Sequence, residues 1–201
     1  MHATSATRKQ FWPLGGLTNL LREVLVLRAT LNQRVHLFDA ALTELPVVLE
    51  ADPHDAQVLL LRATVFQMVG QFDNARGDCV AVDGVASELV STTCLDNVNA
   101  MTGLPRESYD QLRAALETSQ AQPNIKSWAL TSLAEMAARA GLPKEAEADF
   151  RQALAIVSTD NYRLAAFSDF LLDQNRPVEV EGLLRSFTRN DPLLLRYALA
   201  L

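Results

Sequence analysis

Leu25-Val-Leu-Arg-Ala-Thr30 recurs as Leu59-Leu-Leu-Arg-Ala-Thr64, 34 positions further along the chain. A second segment, Phe38-Asp-Ala-Ala41, recurs as Phe72-Asp-Asn-Ala75 at the same shift of 34 positions. Two separate segments that share one period indicate that a whole unit is duplicated, because chance similarity between helices would not keep the register across the intervening turn.

The second half of the chain repeats through its turns. Gly103-Leu-Pro-Arg-Glu107, Gly141-Leu-Pro-Lys-Glu145 and Asn175-Arg-Pro-Val-Glu179 lie 38 and then 34 positions apart, and the longer interval contains the polar connection 118–124. Gly and Asn tolerate the left-handed conformation that ends many helices, and Pro suits the first turn of the next helix. Each of these turns therefore predicts the join between two helices.

Apolar residues at helical spacing divide each unit into a helix pair, with helices predicted over 56–69 and 73–82 and again over 126–140 and 144–156. We expect an all-α protein, a right-handed α-solenoid of antiparallel helix pairs. An N-terminal arm, 1–17, is expected to be irregular or poorly ordered, and a single solenoid is expected over 18–201. The predicted units are 22–55, 56–88, 89–122, 126–159 and 160–192, followed by a C-terminal helix over 193–201.

The 34-residue helix–turn–helix period resembles the tetratricopeptide repeat (TPR) over residues 18–192. The second unit matches the pattern at eight positions, and the fourth unit matches at eight as well. The matching residues of the second unit are Leu59, Ala63, Phe66, Gly70, Phe72, Ala75, Cys79 and Val82. The third unit departs from it, because Asp96 and Ser108 stand where small residues belong. The resemblance implies a scaffold or adaptor that binds other proteins.

Charge and composition exclude several classes of protein. Hydrophobic residues make up 49% of the chain and charged residues 21%, which is enough to bury a core. The net charge is −6; residues 1–34 carry five basic side chains and one acidic, so the remainder holds −10 and disfavours binding to nucleic acid. No apolar stretch approaches the roughly 18 residues that a membrane span requires.

The sequence contains no nucleophile elbow, zinc-protease helix, Walker loop or dinucleotide-binding loop. Asp52-Pro-His54-Asp55 superficially resembles a metal-ligand cluster, but it falls in an inter-repeat turn, where these residues are common turn and capping residues. We therefore expect no enzyme activity, no cofactor and no metal site.

The first helix of each unit should line the concave groove of the solenoid. Trp128 and Tyr162 occupy corresponding positions of successive units, and exposed Trp and Tyr often concentrate binding energy; the alternative for Trp128 is packing in the core. Glu135 and Asp169 favour a neutral or basic ligand with an apolar face, such as an amphipathic helix. The candidate groove residues are Thr64, Asn97, Trp128, Thr131, Glu135, Tyr162 and Asp169.

Two other functions stay open. Leu193-Leu-Leu-Arg196 repeats the start of a first helix without the polar capping helix that a solenoid end needs, so either the native protein continues or another molecule covers this face. A self-association module, oligomerising through this C-terminal helix, is one alternative. A sensor domain of a larger regulator or enzyme that continues beyond Leu201 is the other.

The two cysteines bear on the cellular compartment. Cys79 falls on the second helix of one unit and Cys94 on the first helix of the next, so a disulfide is possible, and it would indicate a periplasmic or secreted protein. We favour two separate buried thiols and a cytoplasmic protein, because the irregular third unit makes its register hard to place.

Overall fold

The computed structural model describes residues 14–158 and 160–187, with side chains from 19 to 158 and from 160 to 185. Helices and the turns between them account for these residues, and no strand occurs among them. The helices are α1 (Leu14–Arg34), α2 (Phe38–Ala51), α3 (Ala56–Met68), α4 (Phe72–Val82), α5 (Glu88–Met101), α6 (Pro105–Thr118), α7 (Pro123–Arg139), α8 (Pro143–Ile156), α9 (Asn161–Asp173) and α10 (Pro177–Phe187). The predicted fold class, an α-solenoid of helix pairs, is confirmed.

The turn inside each helix pair contains one residue with a left-handed backbone. Four of these residues belong to the predicted turns, and their φ angles are +76° at Gly70, +112° at Gly103, +73° at Gly141 and +57° at Asn175. The first pair uses His36 (φ +61°), which the sequence analysis did not single out because residues other than Gly are uncommon in this conformation, although His is among those enriched in it. A residue with positive φ thus lies at the equivalent turn position of each of the five described pairs.

The helix boundaries differ from the predicted ones mainly at helix starts. α7 begins at Pro123 rather than 126 and α8 at Pro143 rather than 144, because the fixed φ of Pro suits the first helical position. α1 begins at Leu14, so the last four residues of the predicted arm are helical. Residues 1–13 and the predicted C-terminal helix 193–201 lie outside the described residues.

Small side chains let the two helices of a pair cross closely. Ala63 faces this crossing from α3 and Ala75 from α4, and both are fully buried. In the third pair Asp96 and Ser108 occupy the equivalent places and are also buried. Within the described part of the chain, Asp96 Oδ2 and Ser108 Oγ have no hydrogen-bond partner, so this crossing keeps its packing but buries polar atoms at a cost.

An ion pair also repeats with the period of 34 residues. Arg28 of α1 contacts Glu44 of α2 at 2.7 Å, and Arg62 of α3 contacts Asp78 of α4 at 2.6 Å. The Arg62 guanidinium donates through two nitrogen atoms to both carboxylate oxygens of Asp78. The recurrence of Leu-Arg-Ala-Thr in the sequence therefore preserves an electrostatic link between the helices of a pair as well as their packing.

Candidate ligand groove

The first helices of the pairs form the inner side of the solenoid. Successive first helices contact one another (α1 with α3, α3 with α5, α5 with α7 and α7 with α9), whereas successive second helices make no such contact within the described residues. The stack therefore curves toward its first helices, because the shorter spacing must lie on the inside of the curve. Side chains that point outward from α3, α5, α7 and α9 on this side line the groove.

A pocket of about 350 Å³ opens between α7 and α9. Phe150 and Phe170, both almost fully buried, contribute apolar surface to it. The other lining residues are Glu135, Ala138, Arg139, Tyr162, Ala165, Ala166, Asp169 and Asp173. The pocket thus combines apolar surface with three carboxylates and a single basic side chain, and this combination suits a cation that has an apolar stem.

Tyr162 and Glu135 join the two helices across this pocket. The Tyr162 hydroxyl of α9 donates a hydrogen bond to Glu135 Oε1 of α7 at 2.6 Å, while 58% of Tyr162 stays exposed to solvent. Arg139 lies 3.9 Å from the other oxygen of the Glu135 carboxylate. The ring of Tyr162 is therefore held in place by its hydroxyl and still offers a face to a ligand.

The pKa values of Glu135 and Tyr162 keep the Tyr162 hydroxyl available as a hydrogen-bond donor to Glu135. Burial raises the pKa of the Glu135 carboxyl and outweighs the hydrogen bond from Tyr162 and the charge of Arg139, which both lower it. Although the ring is largely exposed, the hydroxyl lies against Glu135, and desolvation there, followed by the charge of the Glu135 carboxylate, also raises the pKa of the Tyr162 phenol. The phenol consequently stays protonated at neutral pH and remains a donor.

The predicted groove residues do not all meet at one place. Glu135, Tyr162 and Asp169 share the pocket. Thr64 is exposed on α3 and its hydroxyl donates to the carbonyl of Leu60 at 2.9 Å. Asn97 of α5 is half-buried, and its side-chain amide donates to Ser132 Oγ of α7 at 3.1 Å, so it also links neighbouring units.

Thr131, which the sequence analysis assigned to the groove, is buried in α7. It is only 2% exposed, and its hydroxyl donates to the carbonyl of Ser127 within the same helix at 2.9 Å. The physical reason is that α7 packs against α5, α6, α8 and α9, so that neighbours cover more of its circumference than a simple groove position implies. Thr131 has neither the exposure nor the free hydroxyl proton that ligand binding would need.

Trp128 lies between the groove surface and the core. It is half-buried and packs against the N-terminal core cluster, which includes Val26, Val58 and Val90, and it is not among the residues that line the pocket. Its ring therefore contributes to the packing between units. Tyr162 is the aromatic residue that the pocket presents to solvent.

Asp173 and Arg139 line the pocket and were missed in the sequence. Asp173 follows Asp169 by four residues and Arg139 follows Glu135 by four, so each lies on the same helix face one turn later. This spacing is the signal that could have identified them.

Among the described residues, no group of three or more His, Cys, Asp or Glu side chains could hold a metal ion.

Cys79 of α4 and Cys94 of α5 are joined by a disulfide, with their Cα atoms 5.4 Å apart. The bridge is buried in a small cluster with Ala63, Ala75 and Val98. The sequence favoured two separate thiols, because the third unit looked irregular; the structure instead keeps α5 in the same register as the other first helices.

The described helices include none that is both long and apolar enough to cross a membrane.

Solved structures with the same architecture identify the fold. The protein TTC0263 of Thermus thermophilus, described as a thermophilic TPR protein, matches with a TM-score of 0.64 at 20% identity, over 89% of this chain and 99% of that one. The fold is that of the tetratricopeptide repeat. PilF of Pseudomonas aeruginosa matches this TPR fold with a TM-score of 0.57 at 17% identity, over 86% of this chain and 77% of that one.

PilW, described as a widely conserved type IV pilus biogenesis factor, has the same TPR fold; its TM-score is 0.58 at 16% identity, over 86% of this chain and 76% of its own. No protein-family model matches the sequence, and no curated protein matches it. Identities this low show the fold alone, so the function of this chain has to be argued from its own groove.

Proposed function

We propose that the chain is a non-catalytic scaffold or adaptor that holds a peptide or helix of another protein in its concave groove. The pocket between α7 and α9 receives a Lys or Arg side chain of that ligand. The observation that carries this proposal is the Tyr162–Glu135 contact, which fixes an exposed aromatic ring beside apolar surface and two further carboxylates.

Charge determines which side chain the pocket prefers. Glu135, Asp169 and Asp173 face a single guanidinium, that of Arg139, so the pocket is acidic, in keeping with the net charge of −6 of the whole chain. A Lys or Arg head would lie against these carboxylates, while its methylene stem covers the apolar surface near Phe150 and Phe170. An acidic ligand would be repelled.

The groove outside the pocket supports a longer ligand. Gln57 and Thr64 are exposed on α3, so polar side chains are accessible on a first helix two pairs away from the pocket. An amphipathic helix that lays its apolar face along such a surface buries several anchors at once. We infer that the ligand extends beyond the pocket and that the pocket fixes its register.

Selection from a displayed library of random dodecapeptides tests this function without a known partner. Wild-type protein should enrich peptides that contain Lys or Arg next to an apolar residue. Tyr162→Ala should weaken binding of the selected peptides by tenfold or more, because the ring and its contact with Glu135 are lost. Asp169→Asn should weaken the same peptides by several-fold.

Thr43→Ala is the matched control, since Thr43 is exposed on α2, a second helix outside the groove, and its hydroxyl donates only to the carbonyl of Asp39 in its own helix among the contacts described. Its binding should equal that of the wild type. Enrichment of acidic peptides, or peptides that bind Tyr162→Ala as well as wild type, would contradict the proposal.

A further inference from the structure

The outer face of α1 carries an exposed apolar stripe. Leu20, Val24, Leu27 and Leu31 are 59%, 43%, 60% and 52% exposed. Their separations of four, three and four residues are those of alternating d and a positions in a coiled-coil heptad. Leu21 and Val35, 55% and 62% exposed, lie at one edge of this stripe, which we call the α1 seam.

The α1 seam points away from the solenoid. Val26 and Ala29, on the opposite side of the helix, are buried in the N-terminal core cluster. Two of the four seam residues, Val24 and Leu31, have equivalents 34 residues on, Val58 and Val65, that are fully buried in the next unit, where α2 packs against α3. Of the other two equivalents, Leu61 is partly buried and His54 is exposed in the turn before α3. The α1 seam is thus the same helix face that the preceding helix covers in α3, and no described helix covers it in α1.

We propose that a second copy of this chain covers the seam, through parallel pairing of α1 with α1 of the partner. Val24 and Leu31 then lie at a positions, and Leu20 and Leu27 lie at d positions; Val24, between the two d residues, is the β-branched one. A β-branched residue at a with Leu at d favours two parallel strands.

Charges at the edges of the seam select the same arrangement. Glu23 lies at a g position, and Arg28 lies at the e position of the following heptad. In a parallel pair, Glu23 of one copy therefore lies beside Arg28 of the other, where g and e residues form interhelical salt bridges. Both side chains are exposed, and Arg28 keeps N–H donors beyond those that contact Glu44 of its own unit. Antiparallel pairing would instead place g against g and e against e, bringing like charges together.

The surface is large enough for association but not for an obligate dimer. The six seam and edge residues offer on the order of 500 Å² per copy, so that a dimer would bury about 1,000 Å², at the lower limit for specific interfaces. α1 is already folded against α2 and α3. Pairing therefore does not require the loss of conformational entropy that accompanies helix formation in isolated short coiled coils. We expect dissociation in the micromolar range, visible in a concentration series.

Sedimentation equilibrium over about 1–200 µM on the full chain tests the interface. Wild type should pass from monomer to dimer. Leu27→Ser should weaken dimerisation at least tenfold, and Val80→Ser, at an equally exposed position on α4, should not change it. Glu23→Arg should weaken dimerisation several-fold, even though it lowers the net negative charge through which two copies repel each other. Glu50→Arg on α2 makes the same change in net charge and should leave dimerisation unchanged.

Cross-linking determines the orientation. Because the only native cysteines are bridged, Leu20→Cys should form a disulfide-linked dimer under mild oxidation, since identical d positions face each other only in parallel pairing. A wild-type chain that stays monomeric at 200 µM would overturn the proposal, as would dimerisation that Leu27→Ser leaves intact. Efficient cross-linking of Val24→Cys but not Leu20→Cys would overturn the parallel orientation. Tyr162→Ala should dimerise like wild type, which separates this interface from the ligand groove.

Discussion

Two glycines in adjacent elements should respond to alanine in opposite directions. Gly70 has φ +76°, a conformation in which an added Cβ costs about 1 kcal/mol. Gly77 lies inside α4, and a Cβ added there meets nothing within 4 Å. We expect Gly70→Ala to lower the free energy of unfolding by about 1 kcal/mol, and Gly77→Ala to raise it by up to about 1 kcal/mol, since Ala is the better helix former.

Urea denaturation followed by circular dichroism measures both changes on the same scale. Gly77→Ala serves as the control for Gly70→Ala, because both substitutions add one methyl group at an exposed site. Equal effects of the same sign would show that the left-handed turn does not constrain the helix pair.

Asp96 should make stability depend on pH. Burial raises the pKa of its carboxyl to about 6, and the hydrogen bond from Asn99 lowers it only partly. Because this pKa lies above the unfolded value of about 3.9, the wild-type chain loses stability as pH rises from about 4 past 6. Asp96→Asn removes that loss. The free energy of unfolding of the variant minus that of wild type should therefore increase by about 2 kcal/mol between pH 4.5 and pH 8.

Thermal melts of wild type and Asp96→Asn at several pH values provide the measurement. Asp83→Asn, at an exposed position after α4, should track the wild type across the range and serves as the control. A difference between Asp96→Asn and wild type that is the same at pH 4.5 and pH 8 would show that the carboxyl ionises normally in the folded chain.

At the scale of elements, the disulfide fixes α5 against α4. Reduction should lower the free energy of unfolding by roughly 3 kcal/mol, because the bridge closes a loop across a sequence separation of 15 residues. Thiol titration of the unfolded, unreduced native protein should find no free thiol. Two free thiols per chain would instead support separate buried cysteines in a reducing compartment.

A bridge in the native protein would support a periplasmic or secreted location, which we propose on the grounds that disulfides persist mainly in oxidising compartments. A Cys79→Ala/Cys94→Ala variant is the control for the reduction experiment. It should be no more stable than reduced wild type, because two buried sulfur atoms are also removed, and its stability should not change when reductant is added.

The elements themselves follow closely from the sequence. The repeated Leu-Arg-Ala-Thr segment determines the period, and turns such as that at Gly70 determine where helices end, because both signals act within a few residues. Exposure in the groove could not be predicted in the same way. Thr131 and Trp128 occupy groove positions by the period, yet their burial depends on the four helices around α7. The Tyr162–Glu135 contact likewise depends on side chains that reach across units.

At the scale of the whole molecule, the groove and the α1 seam lie on different helices. Ligand binding is proposed between α7 and α9, and self-association through α1 at the N-terminal end of the described solenoid. A dimer of this kind would present two copies of the groove on one particle. Two linked sites raise the apparent affinity for a ligand that is itself multivalent, without any new contact.

A double-mutant cycle between the pocket and a bound peptide tests the central claim most directly. Isothermal titration would compare wild type and Asp169→Asn, each with the tightest selected peptide and with the same peptide carrying norleucine in place of its Lys or Arg. If the basic side chain lies in the α7–α9 pocket, the two changes should be coupled by about 1 kcal/mol or more. Strictly additive effects would contradict the account, because they would show that the basic side chain of the ligand binds elsewhere.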